Sequence, residues 1–349
     1  MAGKWAEGFE SHRQLNQAAR KYATTSGNMS IQAGRVFGFS GAPQSNVWVT
    51  PSLGNADTWI IGFGFRLASH NTNIDNSGNG LYFEDGASEQ FHIGFLSTSG
   101  SGVRVQLFRG ATLIGETADF DFGVWHYFEV KVTINDTTGA YEIRRNGVQV
   151  LTGNGNTALN GNGGADVFAW RFSNNLSSAV RFDDVYVCDD SGASNNDFLG
   201  PRIIEAIEVT ANGDTNQWVN DNTSVVGVNN FQQVDDAATS TPDENGSGGT
   251  ISSDTNGDLD LFTMSDLQQI TGTVSFVHIG VQAAMAAAGL RTLRFKYSDG
   301  ATVADGPSFV VNAVSYDEFT AILDTNPVTS AAWDVSGIDG GQFGVEVVS

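Results

Sequence analysis

Residues 125–150, WHYFEVKVTINDTTGAYEIRRNGVQV, constrain the fold more than any other stretch of this chain. Trp125, Phe128, Val130, Val132 and Ile134 fall largely on alternate positions, the period that gives a strand one buried face. Asp136-Thr-Thr-Gly139 then supplies turn chemistry, and Tyr141 and Ile143 alternate with Glu142 and Arg144 in a second strand. Asn146-Gly147 is the pair best able to take positive φ at both central positions of a type I′ hairpin turn. The stretch predicts an antiparallel meander. It holds no reactive group in a recognisable setting, so it specifies a scaffold and leaves activity to be sought elsewhere.

A chain of 349 residues fits two domains, or one large β-domain with an appendage. Glycine at 42 against proline at 6 indicates many tight turns between short strands, the profile of sandwiches and barrels. Seventeen basic residues face 39 acidic ones, a formal charge of −22, which repels phosphate backbones and anionic bilayers. Nucleic acid is therefore not an expected partner, and neither is a membrane. Cys188 is the single cysteine, so an intrachain disulfide and paired-cysteine zinc sites are excluded, and it reads as a small buried hydrophobe. The N-terminal MAGKWAEGFESHRQ lacks the apolar core of a signal peptide, and no run of eighteen apolar residues occurs, so cytosolic synthesis without membrane insertion is expected.

A short helix is predicted over 10–22, where Leu15, Ala18, Ala19 and Tyr22 share a face. Strand signals follow at Trp48-Val49, 58–68, 90–96, 103–108, 167–172 and 180–187. In the 58–68 run Gly62 and Gly64 occupy the face opposite Trp59, Ile61, Phe63 and Phe65; another layer or a ligand comes close there, or the strand is bulged. The polar segment 189–197 and Gly200-Pro201 mark a boundary, giving domains 1–200 and 201–349. Residues 201–209 read as a connecting strand, 235–258 as a polar stretch, and 274–281, 290–297, 308–314 and 343–348 as strands of a second, smaller β-domain. Residues 283–289 have helix propensity but are short and flanked by strands, which leaves strand, irregular stretch and helical turn all open.

Carboxylates on alternate strand positions would suit a jelly-roll glycosidase, because alternation puts both on one face. The nearest sets are Glu84, Asp85 and Glu89, interrupted by Gly86 and read as a turn, and Asp119 with Asp121, which lack a Glu and a third carboxylate. His12, His70, His92, His126 and His278 are scattered, with none at metal-ligand spacing from another. There is no nucleophile elbow and no phosphate loop, so nucleotide chemistry and a bound cofactor are not expected. Asp254, Asn256, Asp258 and Asp260 alternate as calcium-loop oxygens do, but Leu259 stands where that loop wants Gly and Ser265 where it wants the closing Glu. A polar surface turn is the preferred reading, and no catalytic, cofactor or metal residue is assigned.

Three pieces carry a family likeness: WAEGFES with Ala33-Gly-Arg35 and a Phe-Gly pair; WHYFEVKVTINDTTGAYEIRRNG; and RFDDVYVCDDSGASNNDFLGP. Together they resemble the concanavalin A-like (laminin-G-like) jelly-roll proteins encoded by tailed bacteriophages and prophages, over roughly residues 5–201. The tail segments FKYSDG, VSYDEF and DTNPVTSAAWDVSGIDGGQFGVEVV are similar to the second β-region of that grouping. The resemblance implies an all-β chain, a jelly-roll sandwich followed by a smaller β-sandwich-like domain. It also implies a virion protein on the outside of the particle, attached to tail or head, and it transfers no catalytic residue.

The leading expectation is a non-enzymatic structural protein of the virion, a homo-oligomer in the particle with other virion proteins as partners. A carbohydrate-binding module that meets a host-surface glycan is the first alternative, with Trp48, Trp59 and Trp170 as stacking candidates, although Trp59 lies on an apolar face. A jelly-roll glycoside hydrolase is the second.

Overall fold

The computed structural model describes residues 2–9, 21, 23–35, 39–67, 79–98, 102–161, 163–172, 180–234 and 249–349. The helix predicted over 10–22 lies outside the described residues apart from Lys21. The chain divides into compact units Met1–Ile204 and Glu205–Ser349.

The strands of the first unit are β1 (Gly3–Glu7), β2 (Thr24–Ala33), β3 (Phe39–Val49), β4 (Thr58–Leu67), β5 (Gly80–Asp85), β6 (Ser88–Thr98) and β7 (Gly102–Arg109). They continue with β8 (Thr112–Glu116), β9 (His126–Thr133), β10 (Gly139–Arg145), β11 (Val148–Gly155), β12 (Val167–Phe172) and β13 (Val180–Asp189). All pair antiparallel along the path β11-β10-β9-β4-β13-β3-β12-β5-β6-β7-β8, with β1 on β13 and β2 on β3. A single pairing, Phe182 with Gly41, joins β13 to β3. The path thus folds there into two leaves, β11 to β13 with β1, and β3 to β8 with β2.

Alternation explains why the leaves close on one another. Trp59, Ile61, Phe63 and Phe65 of β4 and Phe128, Val130 and Val132 of β9 are buried facing Phe83, Phe91, Ile93 and Phe95 of the other leaf. Phe65 stacks on Phe95 at 4.3 Å between ring centroids, and Trp170 meets Phe182 edge-on at 4.9 Å. Trp48, Trp59 and Trp170 all belong to this core, so none of them is available to stack on a sugar.

The meander forms as read. Asn146 and Gly147 have φ of 51° and 81°, and Arg145 pairs with Val148 across the two-residue turn. Trp125 departs from the expectation: it precedes β9, half-buried, and the core positions start at Phe128. Asp183-Asp184 lies within β13 at a bulge, where Asp184 takes a φ of 49°.

The second unit is also almost all β. One sheet runs β14-β18-β23-β20-β21: β14 (Val209–Asn216), β18 (Leu259–Met264), β20 (Arg291–Ser298), β21 (Val303–Val311) and β23 (Gln342–Val347). Short β15 (Val219–Asn220), β16 (Val225–Val226) and β17 (Ile251–Ser252) form another, and β19 (Val277–Ala283) pairs with β22 (Asp317–Leu323). Residues 202–208 are irregular where a strand was expected, and 284–289 are irregular too. Trp333 is buried against Tyr297 at 5.0 Å, and its indole N–H donates to the Leu323 carbonyl at 2.8 Å. A short helix, α1 (Val335–Asp339), follows it and went unread in the sequence. Asp334 caps that helix by accepting from the Gly337 N–H at 2.7 Å, which lowers its own pKa.

Candidate functional site

Each leaf of the first unit has an outer face, and the two differ in what covers them. On the first leaf Gly62 and Gly64 leave room for side chains of the protein itself. A Cβ at Gly62 would come within 2.1 Å of the Tyr186 ring, and one at Gly64 within 2.9 Å of the Arg35 side chain. The side chains of Tyr186, the register partner of Gly62 on β13, and of Arg35 therefore form a layer over β4, and the bulge lies on β13. The layer is completed by residues 197–204. Glu129, only 1% exposed, accepts on one carboxylate oxygen from the Tyr186 hydroxyl at 2.6 Å and from the Gly200 N–H at 2.7 Å. The Leu199 N–H donates to the Tyr186 hydroxyl at 3.2 Å, and the Ile204 N–H to Asp184 at 2.7 Å. Arg35 pairs with Asp184 at 2.8 Å and donates from its side chain to the Arg202 carbonyl. Lys131 meets Asp197 at 3.0 Å, and Arg144 lies 3.9 Å over the Phe198 ring.

Burial sets the electrostatics of that layer. Loss of solvent, then the neighbouring Asp184 charge, push Asp183 up to about 8, although the N–H groups of Arg35 and Asp184 donate to it. Burial also raises Asp184, against the pull of Arg35. The same desolvation holds the phenols of Tyr127 and Tyr186 well above their usual range. This cluster is a structural clasp, and the face it occupies is filled by the chain's own residues.

The outer face of the second leaf is different. Tyr82 on β5 pairs in register with His92 on β6, and His92 with Phe108 on β7. Their rings stack at 4.5 and 4.8 Å, interplanar angles 17° and 11°, which is the spacing of adjacent strands. Rings stacked across strands at that spacing stand upright, and at 5, 5 and 6% exposure they are almost wholly buried. Arg171 of β12 extends the stack, its guanidinium carbon 5.5 Å from the Tyr82 centroid, and pairs with the buried Glu84 at 2.6 Å. Glu89 bonds to His92 Nδ1 at 2.8 Å. A carboxylate at Nδ1 assigns that nitrogen as donor. Nε2 of His92 and the side-chain amide nitrogen of Gln90 are buried without a hydrogen-bond partner. Burial, then the Glu89 charge, push the Tyr82 phenol up to about 12, so it stays a donor. Farther along, Gln106 donates to Glu116 at 3.0 Å, while Arg104 binds Glu116 at 3.1 Å and also Asp119. Donors and acceptors set around a ring stack form an arrangement suited to a polyhydroxylated ligand.

Glu84 and Glu89 thus come together as a cross-strand pair flanking the Gly86 turn. Asp119 and Asp121 do not share a strand face: both lie between β8 and β9, and Asp121 accepts from His126 through its backbone carbonyl at 3.0 Å. Burial lowers His126. His278 lies on β19, and His12 and His70 fall outside the described residues. Cys188 is buried in β13. Asp254 and Asp258 sit at a turn, whereas Asp260 points inward, accepting from the N–H groups of Gln217 and Trp218 at 2.6 and 2.9 Å and from Asn230 at 2.6 Å. Those oxygens do not converge, and no cluster of three or more potential metal ligands occurs among the described residues. A cavity of about 140 Å³ lined by Phe120, Phe128, Arg145 and Val150 is smaller than the roughly 300 Å³ at which ligand pockets begin. Among the described residues no helix is long and apolar enough to cross a membrane.

No family model and no curated protein matches the chain. Solved structures do match it, at low identity. An endo-β-1,4-glucuronan lyase from the fungus Trichoderma reesei is 14% identical, with a TM-score of 0.37 over 53% of this chain and 95% of that one. Domain 4 of AbnA, an extracellular arabinanase from Geobacillus stearothermophilus, in complex with arabinotriose, is 11% identical, with a TM-score of 0.38 over 54% and 92%. The carbohydrate recognition domain of Emp46p is 10% identical, with a TM-score of 0.36 over 54% and 97%. None of these three is a virion protein.

Proposed function

We propose that this chain is a non-enzymatic carbohydrate-binding module carried on the exterior of a tailed-phage particle. One observation carries the binding half of that reading: the upright Arg171–Tyr82–His92–Phe108 stack on the outer face of the second leaf, bordered by carboxylates and carboxamides. The non-enzymatic half is supported by the commitments of the cross-strand carboxylate pair, Glu84 to Arg171 and Glu89 to His92. The particle half rests on the sequence resemblance, with other virion proteins and further copies of the chain as partners.

Binding is tested on a glycan array, followed by calorimetry with the best ligand. Tyr82→Phe keeps the stack and removes one donor, so it is expected to weaken binding about fivefold, the worth of one net hydrogen bond near 1 kcal/mol. Unchanged affinity in that variant, or an array without signal, refutes the site. Reducing ends released from any polysaccharide would refute the non-enzymatic half, and absence of the protein from purified virions would refute the location.

A further inference from the structure

The charge on the second leaf narrows what a saccharide bound there can be, an inference that rests on the carbohydrate-binding reading. Recognition of a carboxylate or sulfate calls for an unengaged guanidinium fork or ammonium group. Among the described residues, both guanidiniums on this face are already held: Arg171 by Glu84 at 2.6 Å, Arg104 by Glu116 at 3.1 Å and by Asp119. Releasing Arg171 to an acidic ligand would strand Glu84, 3% exposed, as an unpaired buried charge. Glu89 is engaged by His92, so among the described residues four carboxylates stand against two guanidiniums, and even a protonated His92 leaves that set negative. The groups still lacking partners are of a different kind. His92 Nε2 and the Gln90 side-chain amide nitrogen are a ring nitrogen and a carboxamide nitrogen, neither a guanidinium fork nor an ammonium group.

We propose that this face binds saccharides free of carboxylate, sulfate and phosphate groups, and that uronates and sulfated glycans are excluded by repulsion. The test uses the full chain on an array of neutral and acidic glycans, including pairs that differ only in a hydroxymethyl or carboxylate group, such as cello- and β-1,4-glucuronan oligosaccharides. It is run in about 20 mM salt, where surface charges act over roughly 20 Å before they are screened. Neutral glycans are expected to bind, and the uronate member of each pair to bind at least about tenfold more weakly, the effect of one unfavourable charge contact at the surface. Raising the salt is expected to narrow that gap. Glu116→Gln with Asp119→Asn, which leaves the stack intact and frees Arg104, is expected to narrow it further. A uronate that binds as well as its neutral partner overturns this inference and leaves the binding site standing. An array on which nothing binds overturns the carbohydrate reading itself.

Discussion

Gly62→Ala is the smallest change that tests the layer over the first leaf. The new methyl carbon would sit 2.1, 2.5 and 2.7 Å from three carbons of the Tyr186 ring, whereas carbon atoms rest at about 3.5–4.0 Å. The ring must therefore move by more than an ångström. Its hydroxyl is 2.6 Å from Glu129, and a shift of that size breaks the bond and deprives a buried carboxylate of a donor. Overpacking costs about 1–3 kcal/mol. A hydrogen bond to a charged group contributes about 1.5–3 kcal/mol, and the alanine returns roughly 0.4–1 kcal/mol through the unfolded state. The net loss is about 2–5 kcal/mol, a fall in Tm of some 4–20 °C for a unit of this size. Chemical denaturation followed by tryptophan fluorescence measures it, since Trp59 and Trp170 report on this core. In a Tyr186→Ala background the same substitution meets no ring, so its cost should nearly vanish, and the coupling energy should approach the whole single-mutant effect. A cost below about 0.5 kcal/mol, or one equal in both backgrounds, would refute the reasoning.

Asp183 titrates near 8 in the fold and near 3.8 when unfolded, so the folded state holds its proton more tightly. Its contribution to stability is full below pH 4 and is lost as the pH rises toward 8. Asp183→Asn should therefore flatten the stability profile relative to wild type between pH 5 and 8, by up to about 1.4 kcal/mol per pH unit, and parallel profiles would contradict the assignment. Trp333→Phe should destabilise the second unit by about 2 kcal/mol through a lost indole hydrogen bond and lost packing, read by chemical denaturation. Asp260→Ala strands the donors of Gln217, Trp218 and Asn230 and should cost about 3 kcal/mol. Calcium should leave the wild-type Tm within about 1 °C, because the neighbouring oxygens do not converge.

The parts of the fold that alternation encodes were legible: β4, β9, β10 and β13 carry their core residues at period two, and Asn146-Gly147 names its own turn. Strands β2 and β5 were not, because TTSGNMSIQA is polar and GLYFED resembles the approach to a turn. The second-leaf face was hidden for two physical reasons. A register shift beside Gln90 puts Glu89 and His92, three apart, in hydrogen-bond contact, a spacing that period two would place on opposite faces. Tyr82 and Phe108 are aromatic yet face outward, and only their cross-strand partners reveal it. The glycines of β4 did signal a close approach, and what approaches is Tyr186 and Arg35.

The clasp made by residues 197–204 bears on how such modules can be shuffled between genes. Gly200-Pro201 looks like a natural seam, but Gly200 supplies an N–H to Glu129 and Ile204 one to Asp184. A recombination event at the glycine would carry off donors that the donor gene's sandwich needs and strand buried carboxylates in it. Viable exchange is therefore confined to the peptide after Ile204, where the first compact unit ends. A chimaera cut at 204 should express folded from a gene in which one cut at 198 does not.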